Sequence, residues 1–291
     1  MIKLFTDSAA DMPREYFDRY GVSVIPFGIS YGDEVYHTDF YDLRPDEFYR
    51  RCIEIDAWPK TSQPAAAQYE DKFRPALEEG HDVFCLCITS KFSGSYQSGV
   101  MAMNKLKEEF PERKILVMDS RRCTAQQGYL VYQACLMIED GIDFDGLVSQ
   151  MEAVRDGCFT FFSVGSLEYL RKGGRLGKAS ALLGSLLNIK PIISFTDAEL
   201  KPHSKVRGTK NSIAEIVKAL NKSAGEIKDK YTAMVFVSNM HEEGAVLFKE
   251  LKASGFDPVH NWNIGPVVGA HLGPTGYAAG LLLKYEGQKV F

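Results

Sequence analysis

The sequence predicts an α/β protein of two domains, the first built on a parallel sheet and the second on a mixed or largely antiparallel sheet. In the first half, short apolar segments alternate with segments of helical period, which is the order of a parallel sheet with helical crossovers. In the second half, a hairpin turn at Thr196-Asp197 follows the apolar segment 181–195 and leads through His203 to Arg207. The 291 residues are enough for two domains, each with a core of its own.

The elements of the first half follow from hydrophobic period and from turn residues. Residues 28–37 alternate in polarity around Gly32-Asp33, which predicts a hairpin. The predicted strands are residues 2–5, 22–27, 82–89 and 114–118, and the predicted helices are 13–20, 45–55, one from 64 to about 79, one from 95 to 110, 124–139 and 143–155. We therefore expect a first domain over residues 1–157, with the hairpin free to pack on the second domain.

The second domain is expected over residues 158–291. The strands predicted there are 159–164, 232–238, 258–264 and 277–285, and the helices are 209–222 and 242–254. Residues 167–178 are basic and rich in glycine, so we interpret them as a turn. Between 263 and 277, Pro266 suits the first position of a helix and Gly273-Pro274 suits its end, which predicts a helix of about two turns.

Composition excludes several classes of protein. The chain is 45% hydrophobic and 25% charged with a net charge of -4, so it lacks the basic stripe of a nucleic-acid-binding protein. No apolar run reaches the length of a membrane span, and Asp7 interrupts any secretory signal. The six cysteines are scattered without a C-x-x-C pair. We expect free thiols, no metal site and a reducing, cytoplasmic location.

Motifs of the common nucleotide and hydrolase sites are absent from the sequence. Gly177-Lys178 is followed by Ala179 and is not a P-loop, and no dinucleotide, zinc-protease or nucleophile-elbow pattern occurs. These absences discount the enzyme classes that carry those motifs. Asp7 and Asp119 end two predicted strands and form a candidate carboxylate pair, but acids at such positions more often cap the following helix.

Hydroxyl side chains at the starts of two predicted helices are the polar residues that best suit a binding site. Thr61 and Ser62 precede one predicted helix, and Ser93 and Ser95 precede another. Taken singly, each of them is explained by helix capping. Together, two helix N-termini with hydroxyls would suit a single anionic oxygen.

The glycine-rich stretch 263–277 adds an imidazole and a further hydroxyl. His271 falls in the last turn of the predicted helix and Thr275 lies just past its end. The simpler alternative is a tight connection between strands in which a backbone carbonyl satisfies His271. The sequence leaves open whether this histidine is protonated or neutral.

Six segments carry a resemblance to a known family. In order they are T-D-S-A-A-D at 6–11, K-T-S-Q-P at 60–64, S-G-S-Y-Q-S at 93–98, L-R-K-G-G-R at 170–175, K-P-I-I at 190–193 and G-P-V-V-G-A-H-L-G-P-T-G at 265–276. They resemble the DegV family of bacterial fatty-acid-binding proteins, and they span nearly the whole chain.

The resemblance implies a long-chain fatty acid in a tunnel between two α/β domains. It implies that the carboxylate is held by residues of both domains, namely Thr61, Ser62, Ser93, Gly94, His271 and Thr275. It also implies a role as the lipid-binding subunit of a fatty acid kinase, whose separate ATP-dependent subunit phosphorylates the bound acid. On this view the chain itself has no catalytic residue and no cofactor, which agrees with the missing nucleotide motifs. The tail should then dominate affinity, and the hydroxyls and imidazole should set orientation.

Two other functions stay open at this point. One is a transferase of acyl or phosphoryl groups that uses Asp7, Asp119 and His271, and the other is a protein that only stores or senses lipid. The basic residues Arg171, Lys172, Arg175 and Lys178 are interpreted either as a solvated loop or as a docking site for an acidic partner or an anionic membrane surface. Chain length, unsaturation and oligomeric state are not predicted.

Overall fold

The computed structural model describes residues 1–32, 37–40, 42–54, 58–182, 188–257 and 259–287. Within these residues the chain forms thirteen strands and ten α-helices. The strands are β1 Ile2–Asp7, β2 Ser23–Ile25, β3 Gly28–Tyr31, β4 His37–Thr38, β5 Pro59–Ser62, β6 Asp82–Cys87, β7 Ile115–Asp119, β8 Phe159–Ser163, β9 Ile189–Thr196, β10 Glu199–Arg207, β11 Tyr231–Val237, β12 Val259–Asn263 and β13 Tyr277–Leu283. The helices are α1 Arg14–Tyr20, α2 Pro45–Glu54, α3 Ala66–Glu78, α4 Ser95–Glu109, α5 Thr124–Glu139, α6 Phe144–Asp156, α7 Glu168–Lys172, α8 Thr209–Ala224, α9 His241–Ala253 and α10 Pro266–Leu272.

Two large sheets confirm the predicted fold class. The first is four-stranded and parallel, in the order β2-β1-β6-β7. The second is six-stranded, in the order β10-β9-β8-β13-β11-β12. All its neighbouring pairs are antiparallel except β11 with β12, so the sheet is mixed.

A third, small sheet has the order β4-β3-β5. Its β3–β4 pair is the predicted hairpin, although the turn residues 33–36 lie outside the described residues. Strand β5 is a difference from the sequence prediction, which interpreted residues 60–64 only as the lead into a helix. Pro-Lys-Thr-Ser carries no apolar alternation, and it becomes a strand because β3 offers a free edge to pair with.

The segment 167–178 also differs from its interpretation as a turn. Residues Glu168–Lys172 form helix α7, and Gly177–Leu182 form a 3-10 helix. Gly173 and Gly174 separate the two, and Gly174 takes the left-handed backbone conformation with φ 71°. The glycines therefore break the segment into two short helical pieces, and the loop between them contains Arg175.

Five layers account for the burial of these elements. Helices α3 and α4 cover the outer face of the parallel sheet with one apolar cluster, and α8 and α9 cover the outer face of the mixed sheet with another. The largest cluster lies between the two sheets and includes Leu4 and Phe84 from one sheet and Phe162 and Met234 from the other.

Helix α5 occupies the middle layer. Most of its side chains are buried, and it packs on β1 and β6 of the parallel sheet and on β11 of the mixed sheet. A helix buried on several sides is expected to carry hydrophobic side chains, or polar side chains with hydrogen-bond partners, on all of those sides. The prediction that each domain has its own core is therefore incomplete, because the largest core is shared. The boundary between residues 157 and 158 stays a prediction.

All six cysteines are buried free thiols. Cys85 and Cys87 point to the same face of β6, with their sulfurs 3.7 Å apart. Among the described residues no helix is long and apolar enough to cross a bilayer. The same residues contain no group of three or more metal-ligating side chains.

Three carboxyl groups lie where the loops after β1 and β4 meet helices α5 and α10; Asp7 and Asp39 are buried and Asp11 is partly buried. Asp7 accepts hydrogen bonds from the N–H groups of Ala9 and Ile88 and from the side chains of Ser95 and Gln127. Burial raises the pKa of all three, that of Asp11 to about 8 and that of Asp39 to about 7. Each carboxyl group is protonated more readily in the folded chain than in the unfolded chain.

The raised pKa of Asp39 predicts a pH-dependent stability. Between about pH 4 and pH 7 the folded chain holds a proton that the unfolded chain has released, so stability falls as pH rises. From pH 6 to pH 8 this group alone should cost about 1 kcal/mol of unfolding free energy. Asp39→Asn, which mimics the protonated acid, should lose less stability over that interval in urea unfolding. Asp145→Asn, at an exposed carboxylate of α6, should follow wild type, and equal slopes for all three would refute the assignment.

Candidate functional site

A cavity of about 380 Å³ is lined by strands of the mixed sheet, by the loops after β2, β6 and β7 of the parallel sheet, and by β5, α5 and α10. This volume is in the range of small-molecule sites in proteins. Most of its wall is apolar, and both halves of the chain contribute. The lining residues are Phe27, Thr61, Ser62, Gln63, Ile88, Phe92, Ser93, Cys123, Thr124, Gln126, Thr160, Phe162, Leu170, Arg175, Phe195, Leu200, Phe236, Ile264, Val267, Val268, His271, Leu272 and Ala278.

One end of the cavity is polar and partly open to solvent. Ser62 and Gln63 are exposed there, and Thr61, Ser93 and His271 are partly buried. Strand β5 brings Thr61 to this end, and the last turn of α10 brings His271. The Thr61 hydroxyl lies 3.0 Å from Nε2 of His271, so residues 210 positions apart in the chain are in hydrogen-bond contact.

The local sequence around His271 fixes its place. Pro266 occupies the first turn of α10, and Gly273 ends the helix with φ 79°, as the sequence predicted. A Cβ atom on Gly173 would lie 2.2 Å from Nδ1 of His271, so only glycine at 173 leaves room for the ring. The imidazole is therefore held between β5 and the loop after α7.

Burial, with a smaller effect of the Arg175 charge, lowers the pKa of His271 to about 4. The ring is therefore neutral at neutral pH. Its Nδ1 is buried and has no hydrogen-bond partner among the described residues. A buried nitrogen lone pair without a hydrogen bond is more common in proteins than a buried N–H without an acceptor. We therefore assign the ring proton to Nε2, which then donates to the Thr61 hydroxyl oxygen. The Thr61 hydroxyl proton is left to donate into the cavity.

Ser93 reaches the same end of the cavity from the loop before α4. Its hydroxyl oxygen accepts the N–H of Ser95, and Ser95 in turn donates its own hydroxyl to the buried carboxyl of Asp7. The bond to Ser95 uses the Ser93 hydroxyl as an acceptor, and within the described residues this hydroxyl donates to no other group, so its proton is also available to the cavity. Two hydroxyl donors and a neutral histidine thus line one small polar region.

Two of the predicted site residues do not line the cavity. Thr275 is exposed, and its hydroxyl accepts the N–H of Gly165 at 3.0 Å, which ties the loop after β8 to the end of α10. Gly94 donates its N–H to the Gln63 side chain at 2.7 Å, and a Cβ atom at 94 would lie 2.6 Å from that side chain. Both residues support the polar end of the cavity without facing it.

The basic residues of 171–178 do not form one exposed patch. Arg171 pairs with Glu168, and Lys178 pairs with Glu199 at 2.6 Å. Lys172 places its ammonium 3.8 Å from the centre of the Trp58 ring. Arg175 instead turns inward.

The guanidinium of Arg175 donates to the carbonyls of Phe92 and Gly173, and the side chain lines the cavity. The sequence predicts Arg175 as a member of a basic surface group, because its neighbours Arg171, Lys172 and Lys178 are charged. The glycine pair before it was the only signal of a chain reversal that turns it inward. Arg175 therefore adds a positive charge to the wall of the cavity.

The carboxylates of the transferase alternative have structural roles. Both oxygens of Asp7 are engaged by the four donors named above, and Asp119 accepts the N–H groups of Ser90 and Arg121. Neither residue lines the cavity. Asp119 therefore binds N–H groups of two loops and does not cap α5, the helix that follows it, and the buried Asp7 also joins loops.

Comparison with known proteins gives the family. The family model described as "Uncharacterised protein, DegV family" matches residues 1–284. A DegV domain-containing protein of Clostridium acetobutylicum is 33% identical over 292 residues, which cover 98% of this chain and 99% of the relative. The chain belongs to the DegV family.

Solved structures of DegV proteins have the same fold. A stearic acid-binding protein from Eubacterium ventriosum superposes with a TM-score of 0.91 at 34% identity, covering 98% of this chain and 99% of that one. A DegV protein from Thermus thermophilus, described for its fatty acid binding, gives 0.89 at 32% identity, covering 97% and 99%. Bacillus subtilis DegV, described as a fatty acid binding protein, gives 0.84 at 27% identity, covering 97% and 99%.

The electrostatics of this DegV site can be tested by titrating its histidine. Arg175→Gln removes a positive charge that lowers the pKa of His271, so that pKa should rise while staying below 6.5, because burial remains. The ring nitrogen shifts of His271 in NMR measure it. Arg171→Gln, whose charge is paired with Glu168, is the matched control and should leave the titration unchanged. A His271 that titrates near 6.5 in wild type would contradict its burial.

Proposed function

We propose that this chain binds a long-chain fatty acid in the cavity, with the carboxylate at the polar end, and presents it to a separate ATP-dependent kinase subunit. The observation that carries the proposal is the contact between Thr61 and His271 at the open end of a mostly apolar cavity. The resemblance noted in the sequence, and the fatty acids bound by the E. ventriosum and B. subtilis proteins, support the same ligand class.

The two parts of the cavity suit the two parts of such a ligand. Each methylene buried against the apolar wall contributes about 0.8 kcal/mol, so a tail of about 15 methylenes gives on the order of 12 kcal/mol before the cost of immobilisation. Each hydrogen bond from a neutral hydroxyl to the carboxylate adds about 1 to 3 kcal/mol. The tail therefore supplies most of the affinity, and the polar end fixes which end of the ligand faces out.

The carboxylate is held by Thr61, Ser62 and Ser93, with His271 behind Thr61. In this proposal Thr275 and Gly94 act on the loops around the head group. Because His271 is neutral, it contributes an oriented N–H to the hydroxyl chain and no positive charge. Arg175 is then the cation that borders the head group. Contact with a membrane surface stays a prediction of the sequence.

Head-group variants test the binding mode. Ser93→Ala should weaken binding of oleate or palmitate by about 5- to 150-fold, the value of one hydrogen bond to a carboxylate. His271→Ala, which acts through Thr61, should weaken binding by up to the same factor, and both variants should keep a melting temperature near that of wild type. His271→Ala keeps Gly273, which ends α10. Isothermal calorimetry or a fluorescent-acid displacement assay measures the affinity.

Ser223→Ala is the matched control for these variants. Its hydroxyl bonds to a backbone carbonyl within α8, and it does not line the cavity. Its affinity should equal that of wild type. Wild-type protein that binds no fatty acid would overturn the proposed ligand, and undiminished affinity and phosphorylation in both head-group variants would overturn the proposed carboxylate site.

The kinase role needs a separate reconstitution. The loaded protein with ATP should form no acyl phosphate, and addition of a bacterial fatty acid kinase ATP-binding subunit should yield acyl phosphate, trapped as a hydroxamate. Turnover by the chain alone would favour the transferase alternative. No product under either condition, with the fatty acid still bound, would favour storage or sensing.

A further inference from the structure

The far end of the cavity is closed by a polar pair that connects the two halves of the chain. Gln126 is on the first turn of α5 and Thr160 is on β8, and both line the cavity. Gln126 is 1% exposed and Thr160 is 3% exposed, whereas Ser62 and Gln63 at the other end are exposed. The cavity is thus open at its hydroxyl end and closed at this amide.

The amide of Gln126 is held by several partners and is not a loose side chain. Its Nε2 donates to the carbonyl of Phe159 at 3.0 Å and, more weakly, to that of Leu281 at 3.4 Å. Its Oε1 accepts the hydroxyl of Thr160 at 2.5 Å. Phe159 and Leu281 are directly opposite each other on β8 and β13, so the amide bridges both strands.

Gly280 makes the space that the amide fills. A Cβ atom at 280 would lie 2.4 Å from Nε2 of Gln126. Gly280 faces Thr160 across the β8–β13 pair, and Ala278 faces Phe162 two residues nearer the open end. Side chains two apart on a strand share a face, so Thr160, Phe162 and Ala278 line one continuous floor that stops at Gln126.

The length of β8 sets the distance between Thr160 and the polar end of the cavity. The loop after β8 is tied through Gly165 to Thr275, just past α10, which carries His271. Thr160 is three residues back from the end of β8 at Ser163, which is roughly 10 Å at the rise of a strand. A ligand anchored at His271 therefore runs along β8 towards Gln126.

We propose that Gln126 is the specificity-determining residue that sets the longest acyl chain this protein accepts. The inference rests on the proposed function, since it presumes a fatty acid whose carboxylate is at the hydroxyl end. The methyl end of the chain then stops against an amide whose hydrogen bonds are all internal, so the contact leaves no polar group unpaired. Replacing the amide changes the length of the apolar space without touching the head-group residues.

Competition among saturated acids tests this proposal. Native mass spectrometry of the delipidated chain, incubated with equimolar lauric, myristic, palmitic, stearic and arachidic acids, gives the preferred length for each variant. Gln126→Ala should shift the most abundant bound acid to a longer chain, by about two to four carbons for the side-chain atoms removed. Gln126→Met, which keeps the length of the side chain, should keep the wild-type preference.

Two further variants keep the test decisive if Gln126→Ala is unstable. Ala278→Val extends a side chain into the same floor and should shift the preference to shorter acids. Gln133→Ala removes another buried glutamine of α5, which accepts the N–H of Tyr285 and does not line the cavity, so it should lose stability and keep the wild-type preference.

The outcomes separate the two claims. Wild-type protein that binds none of the five acids refutes the proposed function. Wild-type binding with the same preferred length in Gln126→Ala and Ala278→Val refutes the length-setting role and leaves the proposed function standing. A shift in preferred chain length in Gln133→Ala equal to that in Gln126→Ala also refutes the length-setting role, because the shift would then result from weaker packing of α5.

Discussion

The packing of helix α5 between the two large sheets is the constraint on which the rest of the structure depends. A helix in that position contacts both sheets, and the amide nitrogens of two adjacent glutamines in its first turns donate one to each half of the chain. Gln127 donates to Asp7 and Gln126 donates to Phe159, so adjacent residues of one helix bind opposite halves of the chain. Thr124 adds a third bond, to Asp11, from a left-handed conformation with φ 50° that a β-branched residue seldom adopts.

The same helix explains where the cavity lies. Cys123, Thr124 and Gln126 form its wall at the N-terminal end of α5, where the apolar layer between the sheets gives way to polar side chains. Further along α5, Leu130 and Ala134 are fully buried in the shared core. Because one rigid helix bounds the cavity and joins the halves, the shape of the cavity and the packing of the two halves are set together.

Much of the fold could be predicted from the sequence because its signals are local. Hydrophobic period placed helix 124–139 with the bounds that the structure has, and Pro266 and Gly273 placed the short helix that carries His271. Strand β5 could not be predicted in this way, since Pro-Lys-Thr-Ser becomes a strand only through pairing with β3. The shared core was missed for the same reason, because no local pattern shows that α5 is covered on both sides.

At the candidate site the residue types could be predicted from the sequence, but the directions of several side chains could not. Residue type pointed to Thr61, Ser62, Ser93 and His271, which all line one cavity, but it also pointed to Thr275, whose hydroxyl faces a loop. Arg175 was assigned to a surface patch, because the direction of a side chain depends on backbone conformation that Gly173 and Gly174 only hint at. Gln126 gave no signal, because its environment is created by the distant Phe159, Thr160 and Gly280.

On the proposed function, the neutral state of His271 has a consequence for release of the ligand. An ion pair between the carboxylate and a protonated His271 would be costly to separate. Hydroxyl donors backed by a neutral imidazole give about 1 to 3 kcal/mol each, enough to orient one end of a ligand whose tail supplies most of the binding energy. A head group held in this way stays accessible at the open end beside Ser62 and Gln63, so a second protein can reach the carboxylate while the apolar wall keeps the tail.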